Sequence, residues 1–257
     1  MSTPFNPCVV IPVYNHVAVI GKLVALLDEK KLPVVLVDDG SDPPCRAVLE
    51  QLRSTFSQMH LSTHAHNRGK GAALKTGLLA AHRLGFTHAV QIDADGQHDT
   101  GDIDLFLEKS RAKPETLIAG CPVYDRSVPK IRFYCRYLSH VWVWINTLSL
   151  QIVDSMCGFR VYPLQKSCDL LQRKQMGNRM EFDGEFIVHW YWAGHALVQL
   201  PTKVIYPADG TSHFRLLRDN VLISWMHAKL FLLMLPQLPK LLARNVSRTR
   251  EPRAGIR

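Results

Sequence analysis

The feature that most constrains the fold of this chain is the alternation of short apolar runs with longer amphipathic stretches along residues 8–120. The runs have the length of buried strands, and they are CVVIPV, PVVLVD, LSTH, HAVQID and TLIAG. The stretches between them carry apolar residues at helical spacing, as in Val17–Glu29 and Asp102–Arg111. Strands and helices that alternate in this way form a mostly parallel sheet with helices on both faces, so the sequence predicts an α/β fold.

Polar residues follow the predicted strands at the points where the strands end. In a parallel sheet, ligands bind in the crevice beyond the carboxyl ends of the strands, so these residues mark a candidate binding site. They are Tyr14, Asn15, Asp38, Asp39, Asn67, Asp93 and Asp95.

The first two strand ends, VIPVYNH and VVLVDDGSD, are one strand–helix step apart and suit a nucleotide. Pro12 stiffens the exit of the first strand, and Tyr14, beside Asn15, offers a flat face to a nucleobase. Asp38 or Asp39 can accept a hydrogen bond from a base N–H or a ribose hydroxyl. A DDGS segment alone is a common turn, and only its pairing with the first strand end favours nucleotide binding.

A glycine-rich segment, HNRGKGAALKTG, leads from the loop with Asn67 into a predicted helix. Gly69 and Gly71 allow a close approach of the backbone, while Arg68, Lys70 and the helix N-terminus favour phosphate. The spacing is not that of a P-loop, and no G-x-G-x-x-G follows the first strand, which argues against a dinucleotide-dependent dehydrogenase. A flexible turn into a helix is the alternative interpretation.

The segment HAVQIDADGQHD runs an apolar strand into three aspartates within seven residues. Like charges this close repel each other unless a cation lies between them. Asp93, Asp95 and Gln97 offer hard oxygen ligands that suit Mg²⁺ or Mn²⁺ bridging a diphosphate. An EF-hand loop is excluded because Gly96 is the fourth residue counted from Asp93 and not the sixth. A solvated acidic turn is the alternative interpretation.

The net charge of +9 predicts an anionic partner, and the charge is uneven. Residues 203–257 hold ten Lys and Arg against three Asp and Glu, so the rest of the chain is nearly neutral and a nucleic acid partner is not expected. The six cysteines are widely spaced, without a C-x-x-C pair, and the N-terminus does not read as a signal peptide. Reduced thiols on the cytoplasmic side are the expectation.

Two later segments are apolar but do not follow the alternation of strands and helices seen in residues 8–120. Ile131–Leu150 is rich in aromatic residues, which predicts core packing or the lining of an acceptor channel. Residues 216–257 form an apolar and basic segment that is distinct from a domain over 1–215. The longest charge-free run of this segment, Leu230–Pro239, is shorter than the roughly 20 residues of a membrane span. The segment is expected to form an amphipathic helix that lies on an anionic membrane surface, with Arg244, Arg248 and Arg250 near lipid, or that docks on the domain.

Taken in order, VIPVYN, VDDGS, NRGKGAALKTG, DADGQHD, CGFRVY and EFDGEF resemble the motifs of family 2 glycosyltransferases over Val9–Phe214. The resemblance is closest to the branch of dolichyl- and polyprenyl-phosphate sugar transferases. It implies a GT-A (Rossmann-like) fold, a UDP- or GDP-sugar donor, Mg²⁺ or Mn²⁺, inversion at the anomeric carbon, and a lipid or lipid-phosphate acceptor at the inner face of the cytoplasmic membrane.

The resemblance also implies roles for single residues. Asp39, or Asp38, would contact the base, Asp93, Asp95 and Gln97 would hold the metal, and Arg160 would face the pyrophosphate or the acceptor phosphate. In the segment EFDGEF, Asp183 is the candidate general base and Glu185 a structural support, because residues two apart on a helix do not face the same atom. A solvated, acidic helix start is the alternative interpretation.

The acceptor stays open at this point. The branch usually carries a lysine where this chain has His213, so Arg215 is expected to supply the charge that grips an acceptor phosphate. A hydroxyl acceptor in glycolipid or polysaccharide synthesis is the alternative within the family. Nucleotidyl transfer and non-catalytic nucleotide-sugar binding are the alternatives outside it.

Overall fold

The computed structural model describes residues 4–123, 130–203 and 215–249, apart from the side chains of residues 130–136, 216 and 245–249. Within these residues, seven strands form one sheet. They are β1 (Pro7–Val13), β2 (Val34–Asp38), β3 (Met59–Thr63), β4 (His88–Gln91), β5 (Leu117–Val123), β6 (Arg160–Pro163) and β7 (Leu197–Lys203).

The α-helices of the described residues follow the strands in nearly regular alternation. They are α1 (Ile20–Glu29), α2 (Pro43–Thr55), α3 (Lys70–Arg83), α4 (Ile103–Ala112), α5 (Lys130–Thr147), α6 (Leu164–Arg173), α7 (Phe182–Trp192), α8 (Leu216–Met234) and α9 (Leu238–Thr249). Short 3₁₀ turns precede α4 at Thr100–Asp102 and join α8 to α9 at Leu235–Gln237.

The strand order in the sheet is β3-β2-β1-β4-β6-β5-β7. All neighbouring strands are parallel except at β6, which runs antiparallel to both β4 and β5. The predicted mostly parallel α/β sheet is therefore confirmed. The inserted antiparallel strand was not predicted, because its four residues carried only a motif and no turn signal or alternation.

Buried apolar residues lie on both faces of the sheet, because successive side chains of a strand point to opposite sides. In β1, Val9 and Ile11 pack against α1, α2 and α4, while Cys8 and Val10 pack against α3, α6 and α7. The sheet is thus covered by helices on both faces, as predicted.

Two helices begin about one turn away from their predicted first residues. Residues 17–19 are exposed and α1 begins only at Ile20. In contrast, α2, for which the segment RAVLEQLRSTF predicts a start at Arg46, begins at Pro43, because Asp42 caps it by accepting from the Cys45 N–H and prolines fill the first turn.

The C-terminal segment shares the core of the domain. Ile223, Met226 and Leu230 of α8 are buried against the helices on one face of the sheet. The other side of α8 is exposed and also apolar, with Leu217 83%, Val221 67% and Trp225 71% exposed. The expected alternatives of docking and surface exposure therefore describe two sides of one helix.

The apolar helix in this segment is longer than the charge-free run Leu230–Pro239 suggested. In the described part of the chain, one helix, Leu217–Arg244, meets the length and composition of a membrane span, a test that a core helix also passes. The helix α5, which neighbours α8, contains the aromatic stretch. Within α5, Val143 is buried, whereas Leu138 and Trp142 are exposed. The indole of Trp142 stacks on the His227 ring of α8 with 6.2 Å between centroids.

Candidate active site

The two loops after β1 and β2 are tied to each other by hydrogen bonds. Asn15 adopts a left-handed backbone (φ 53°), its N–H donates to Ser41 Oγ, and its side-chain oxygen accepts from the Asp42 N–H. Asp38 is fully buried and accepts from the Ser41 N–H at 2.8 Å, with Arg46 Nε at 3.4 Å from its other oxygen. Asn15 and Asp38 thus shape the loops that were predicted to hold a nucleotide.

Asp39 connects β2 to the start of α3. One carboxylate oxygen accepts from the Arg68 N–H at 3.0 Å and lies 2.7 Å from His64 Nδ1, and the other accepts from the Gly69 N–H at 2.7 Å. His64 Nε2 in turn lies 3.0 Å from Thr76 Oγ1. Both oxygens of this buried carboxylate therefore have partners within the chain, and its role in base binding stays a prediction.

The start of α3 packs directly against the segment before α7. Gly69 has a φ of 107°, and a Cβ at this position would collide with the Asn178 carbonyl. That carbonyl accepts from the Ala72 N–H at 2.9 Å. The backbone N–H groups of Arg68, Gly69 and Ala72 are thus bonded within the chain, and the phosphate contact of this loop stays a prediction.

Lys70 lies at the centre of the acidic cluster. Its ammonium is 2.8 Å from Asp93 Oδ2 and 3.2 Å from Asp183 Oδ2. Burial alone would lower the pKa of Lys70, but the charges of Asp183 and Asp93 raise it above its ordinary value. The residue therefore stays a cation that joins the predicted metal ligand to the predicted base.

Asp93 and Asp95 lie in different electrostatic environments. Burial would raise the pKa of Asp93, yet Lys70 and His98, whose Nε2 is 3.5 Å from Asp93 Oδ2, hold it well below its usual range. Burial and then the charge of Asp93 raise the pKa of Asp95. Asp95 accepts from the backbone N–H of Gln97 at 3.0 Å. His98 stacks on Phe159, and sequence reasoning gave it no role although it belongs to the quoted motif.

Asp183 stands in the first turn of α7, where its Oδ1 is buried without a hydrogen-bond partner. Arg160 lies beneath it, fully buried, with Nη1 donating to the Asp183 carbonyl at 2.9 Å. Its Nε and Nη2 donate to the carbonyls of Cys157 and Ser155. The predicted contact of Arg160 with a phosphate stays a prediction, and this geometry favours a role in positioning Asp183.

Gly158 lies against the Asp93–Lys70 ion pair, a contact that the sequence did not predict. A Cβ at this position would lie 2.5 Å from Asp93 Oδ2 and 2.9 Å from Lys70 Nζ. The preceding loop is held by Asp154, which accepts from the Cys157 N–H at 2.8 Å and lies 3.3 Å from His140 Nε2. Any residue with a Cβ at this position would require the Asp93 carboxylate and the Lys70 ammonium to shift.

Glu185 has the structural contacts expected of it. One oxygen accepts from the Gly177 N–H at 2.7 Å, and the other accepts from the Lys229 ammonium of α8 at 2.9 Å. Lys229 also donates to the Gln175 carbonyl. From the opposite side, Lys75 of α3 donates to the Met176 carbonyl, so the segment before α7 is held by three helices.

The remaining predicted residues lie around this cluster. Pro12 is buried within β1, Tyr14 is half-buried, and Asn67 accepts from Arg179 Nη1 at 3.3 Å. Arg215 is exposed and its N–H donates to Asp219 Oδ2, at the start of α8. His213 lies outside the described residues.

The sequence profile of the family described as Glycosyl transferase family 2 matches residues 8–166. A dolichyl-phosphate beta-glucosyltransferase of Trichomonas vaginalis is 26% identical over 200 residues, which are 70% of this chain and 59% of the relative. A UDP-N-acetylglucosamine–dolichyl-phosphate N-acetylglucosaminyltransferase of Methanococcus voltae is 25% identical over 77% of this chain and 84% of the relative.

Among solved structures, a mannosyltransferase of Pyrobaculum calidifontis in complex with GDP-Man and Mn²⁺ superimposes with a TM-score of 0.53 at 18% identity. The superposition covers 80% of this chain and 58% of that protein. At this level of identity, the likeness supports the predicted GT-A fold alone.

Proposed function

The chain belongs to glycosyl transferase family 2, and we propose that it moves a sugar from a UDP- or GDP-sugar to a polyprenyl-phosphate or other lipid-linked acceptor, with inversion at the anomeric carbon. The observation that carries the proposal is the meeting of Asp93, Lys70 and Asp183 beyond the carboxyl end of β4, where α/β sheets bind ligands. Relatives named for dolichyl-phosphate acceptors support the choice of acceptor, although the Trichomonas relative is matched over only 59% of its length.

In the proposed enzyme, two carboxylates of this site would hold a divalent ion. No three His, Cys, Asp or Glu side chains among the described residues converge on a common point. Mg²⁺ commonly uses one or two carboxylates and completes its shell with substrate phosphates and water. Burial raises the pKa of Asp95 most, and repulsion from Asp93 adds to it; Asp93 and Asp95 would hold Mg²⁺ or Mn²⁺, which would relieve that repulsion. When bound, the ion would stabilise charge on the departing diphosphate.

The side chains of the chain itself divide the remaining tasks. Lys70 brings a permanent positive charge to the side of the leaving diphosphate, where negative charge develops. Asp183 presents its unpartnered Oδ1 to the acceptor, and Arg160 holds the Asp183 backbone in place. A phosphate acceptor is already ionised and needs no base, whereas a hydroxyl acceptor needs Asp183 to take its proton.

We place the enzyme at the surface of a membrane, because its acceptor would be a lipid. The exposed apolar side of α8, with Leu217, Val221 and Trp225, suits the headgroup region, and Trp is a residue that favours this depth. The basic C-terminal segment adds attraction to anionic lipid.

The direct test is turnover with defined substrates. The purified protein is incubated with polyprenyl phosphate or membranes and with labelled UDP- and GDP-sugars, with Mn²⁺ or with EDTA. We expect lipid-extractable label from at least one donor, lost in EDTA. Release of pyrophosphate from a nucleoside triphosphate would instead indicate nucleotidyl transfer, and donor binding without turnover would indicate a non-catalytic protein.

A further inference from the structure

We propose that Lys70 keeps divalent ions away from Asp93 until a nucleoside diphosphate is bound, so that the ion enters the site only together with the diphosphate. The inference rests on the proposed function. It adds an order of binding to that function and assigns Lys70 a second task beside contact with phosphate.

One oxygen of Asp93, Oδ2, is already paired with a cation. Its Oδ2 lies 2.8 Å from the Lys70 ammonium and 3.5 Å from His98 Nε2, and its Oδ1 lies 3.5 Å from Gln91 Nε2. A divalent ion needs direct contact with its carboxylate ligands, so the Lys70 ammonium has to leave Oδ2 before an ion can bind that oxygen.

The Lys70 ammonium and a divalent ion would compete for the same carboxylate oxygen. Gly158 lies so close above the pair that a single added carbon would touch both Asp93 Oδ2 and Lys70 Nζ. Two cations forced together in a site that is largely closed to water repel strongly. Free Mg²⁺ or Mn²⁺ would therefore have to displace Lys70 without offering it another partner.

A bound diphosphate would supply Lys70 with another partner. Lys70 is the first residue of α3, its side chain is 19% exposed, and its four-carbon stem is flexible. An arriving diphosphate offers the ammonium charged oxygens, which are stronger acceptors than neutral groups. The ammonium can then turn from Asp93 to the phosphate while remaining close to Asp183, and Asp93 becomes free for the ion.

The experiment measures Mn²⁺ binding directly, by electron paramagnetic resonance of the free ion, with no turnover involved. Wild type, Lys70→Met and Lys109→Met are titrated with Mn²⁺ alone and with Mn²⁺ plus UDP or GDP. Lys109 is the matched control, since it removes the same charge from the exposed side of α4. Lys70→Arg, which keeps the charge, is the conservative variant.

We expect wild type, Lys109→Met and Lys70→Arg to bind Mn²⁺ at least about tenfold more tightly when a nucleoside diphosphate is present. Lys70→Met is expected to bind Mn²⁺ alone at least about tenfold more tightly than wild type does. If Lys70→Met does not fold, as judged by circular dichroism, Lys70→Gln takes its place with the same expectation.

Two results would overturn the inference. Equal binding of Mn²⁺ alone by wild type and the neutral variants, in a protein that still turns over donor, would remove only the gating role of Lys70. Absence of Mn²⁺ binding in all proteins, even with UDP and GDP, would also remove the metal from the proposed function.

Discussion

At the scale of single residues, the site is organised by contacts between positions far apart in the chain. Lys70 meets Asp93 and Asp183, and Gly158 covers the pair. The sequence suggested a phosphate contact for Lys70 because glycines surround it, but no spacing rule could place it against Asp183. A sequence pattern identifies the residues at strand ends but does not show which of them are in contact.

Gly158→Ala is expected to damage catalysis without unfolding the protein. The added Cβ would lie 2.5 Å from Asp93 Oδ2 and 2.9 Å from Lys70 Nζ, so the ion pair must shift. We expect a loss of roughly tenfold or more in kcat/KM, since small displacements at a reacting centre are costly. Steady-state kinetics and a thermal melt measure the two effects.

The control for that change is Gly21→Ala in α1. There a Cβ makes an ordinary contact, 3.9 Å from a methyl group of Leu52, and alanine favours a helix. Its kinetics should match wild type. Activity of Gly158→Ala equal to that of Gly21→Ala would contradict the role given to Gly158.

Asp183→Asn distinguishes the two acceptor classes. With a hydroxyl acceptor the change removes the base, and kcat should fall by roughly 10²–10⁴-fold while donor binding persists. With a phosphate acceptor only the ion pair with Lys70 is lost, and kcat should fall by roughly tenfold or less. Single-turnover kinetics, combined with donor binding by calorimetry, separate these outcomes.

At the scale of elements, the strands β1 to β5 were predictable because each is a short run that alternates with a stretch of helical spacing. The inserted strand β6 and helix α6 were not, because CGFRVY carries no strand-like alternation and was noticed only as a motif. The sequence pattern also did not predict the packing of α5 on α8, because the aromatic stretch is compatible with either core packing or the lining of a channel. Tertiary contacts decided these cases.

The contact between α5 and α8 predicts a dependence of stability on pH. Burial, and then the charge of His140, lowers the pKa of His227 on α8 to about 4. Below the unfolded value of about 6.5 the unfolded chain binds a proton that the folded chain refuses, so stability falls as the pH drops from about 6.5 towards 4. The contribution is at most about 1.4 kcal/mol per pH unit.

Urea unfolding between pH 7 and pH 4.5 measures this effect. His227→Gln should flatten the loss of stability on acidification, whereas His60→Gln, on the exposed side of β3, should keep the wild-type slope. Identical slopes for His227→Gln and wild type would show that burial of this imidazole does not govern the acid response.

At the scale of the whole molecule, apolar surface remains after the core is complete. Both faces of the sheet are covered, yet α8 and α5 keep Val221, Trp225 and Leu138 exposed. Scattered apolar residues are ordinary on protein surfaces, but a row along one helix indicates an interaction surface. The α/β fold was predictable from the sequence, whereas the two-sided burial of α8 depends on how the helix packs and was not.

Trp225→Ser is expected to weaken binding to vesicles of phosphatidylcholine and phosphatidylglycerol by roughly tenfold, because a large apolar ring leaves the headgroup region. Its melting temperature should stay near that of wild type, since the ring is mostly exposed. Leu84→Ser, at the end of α3, is the control and should bind as wild type does. Sedimentation with vesicles gives the answer, and equal binding of all three proteins would reject the membrane role of α8.

The bonds from Lys229 to Glu185 and to the Gln175 carbonyl have a mechanical consequence. They anchor α8 to the same segment that buttresses the beginning of α3, where Lys70 stands. If α8 meets a bilayer as proposed, a tilt or slide of the helix would pull on that segment and so shift the surroundings of Lys70.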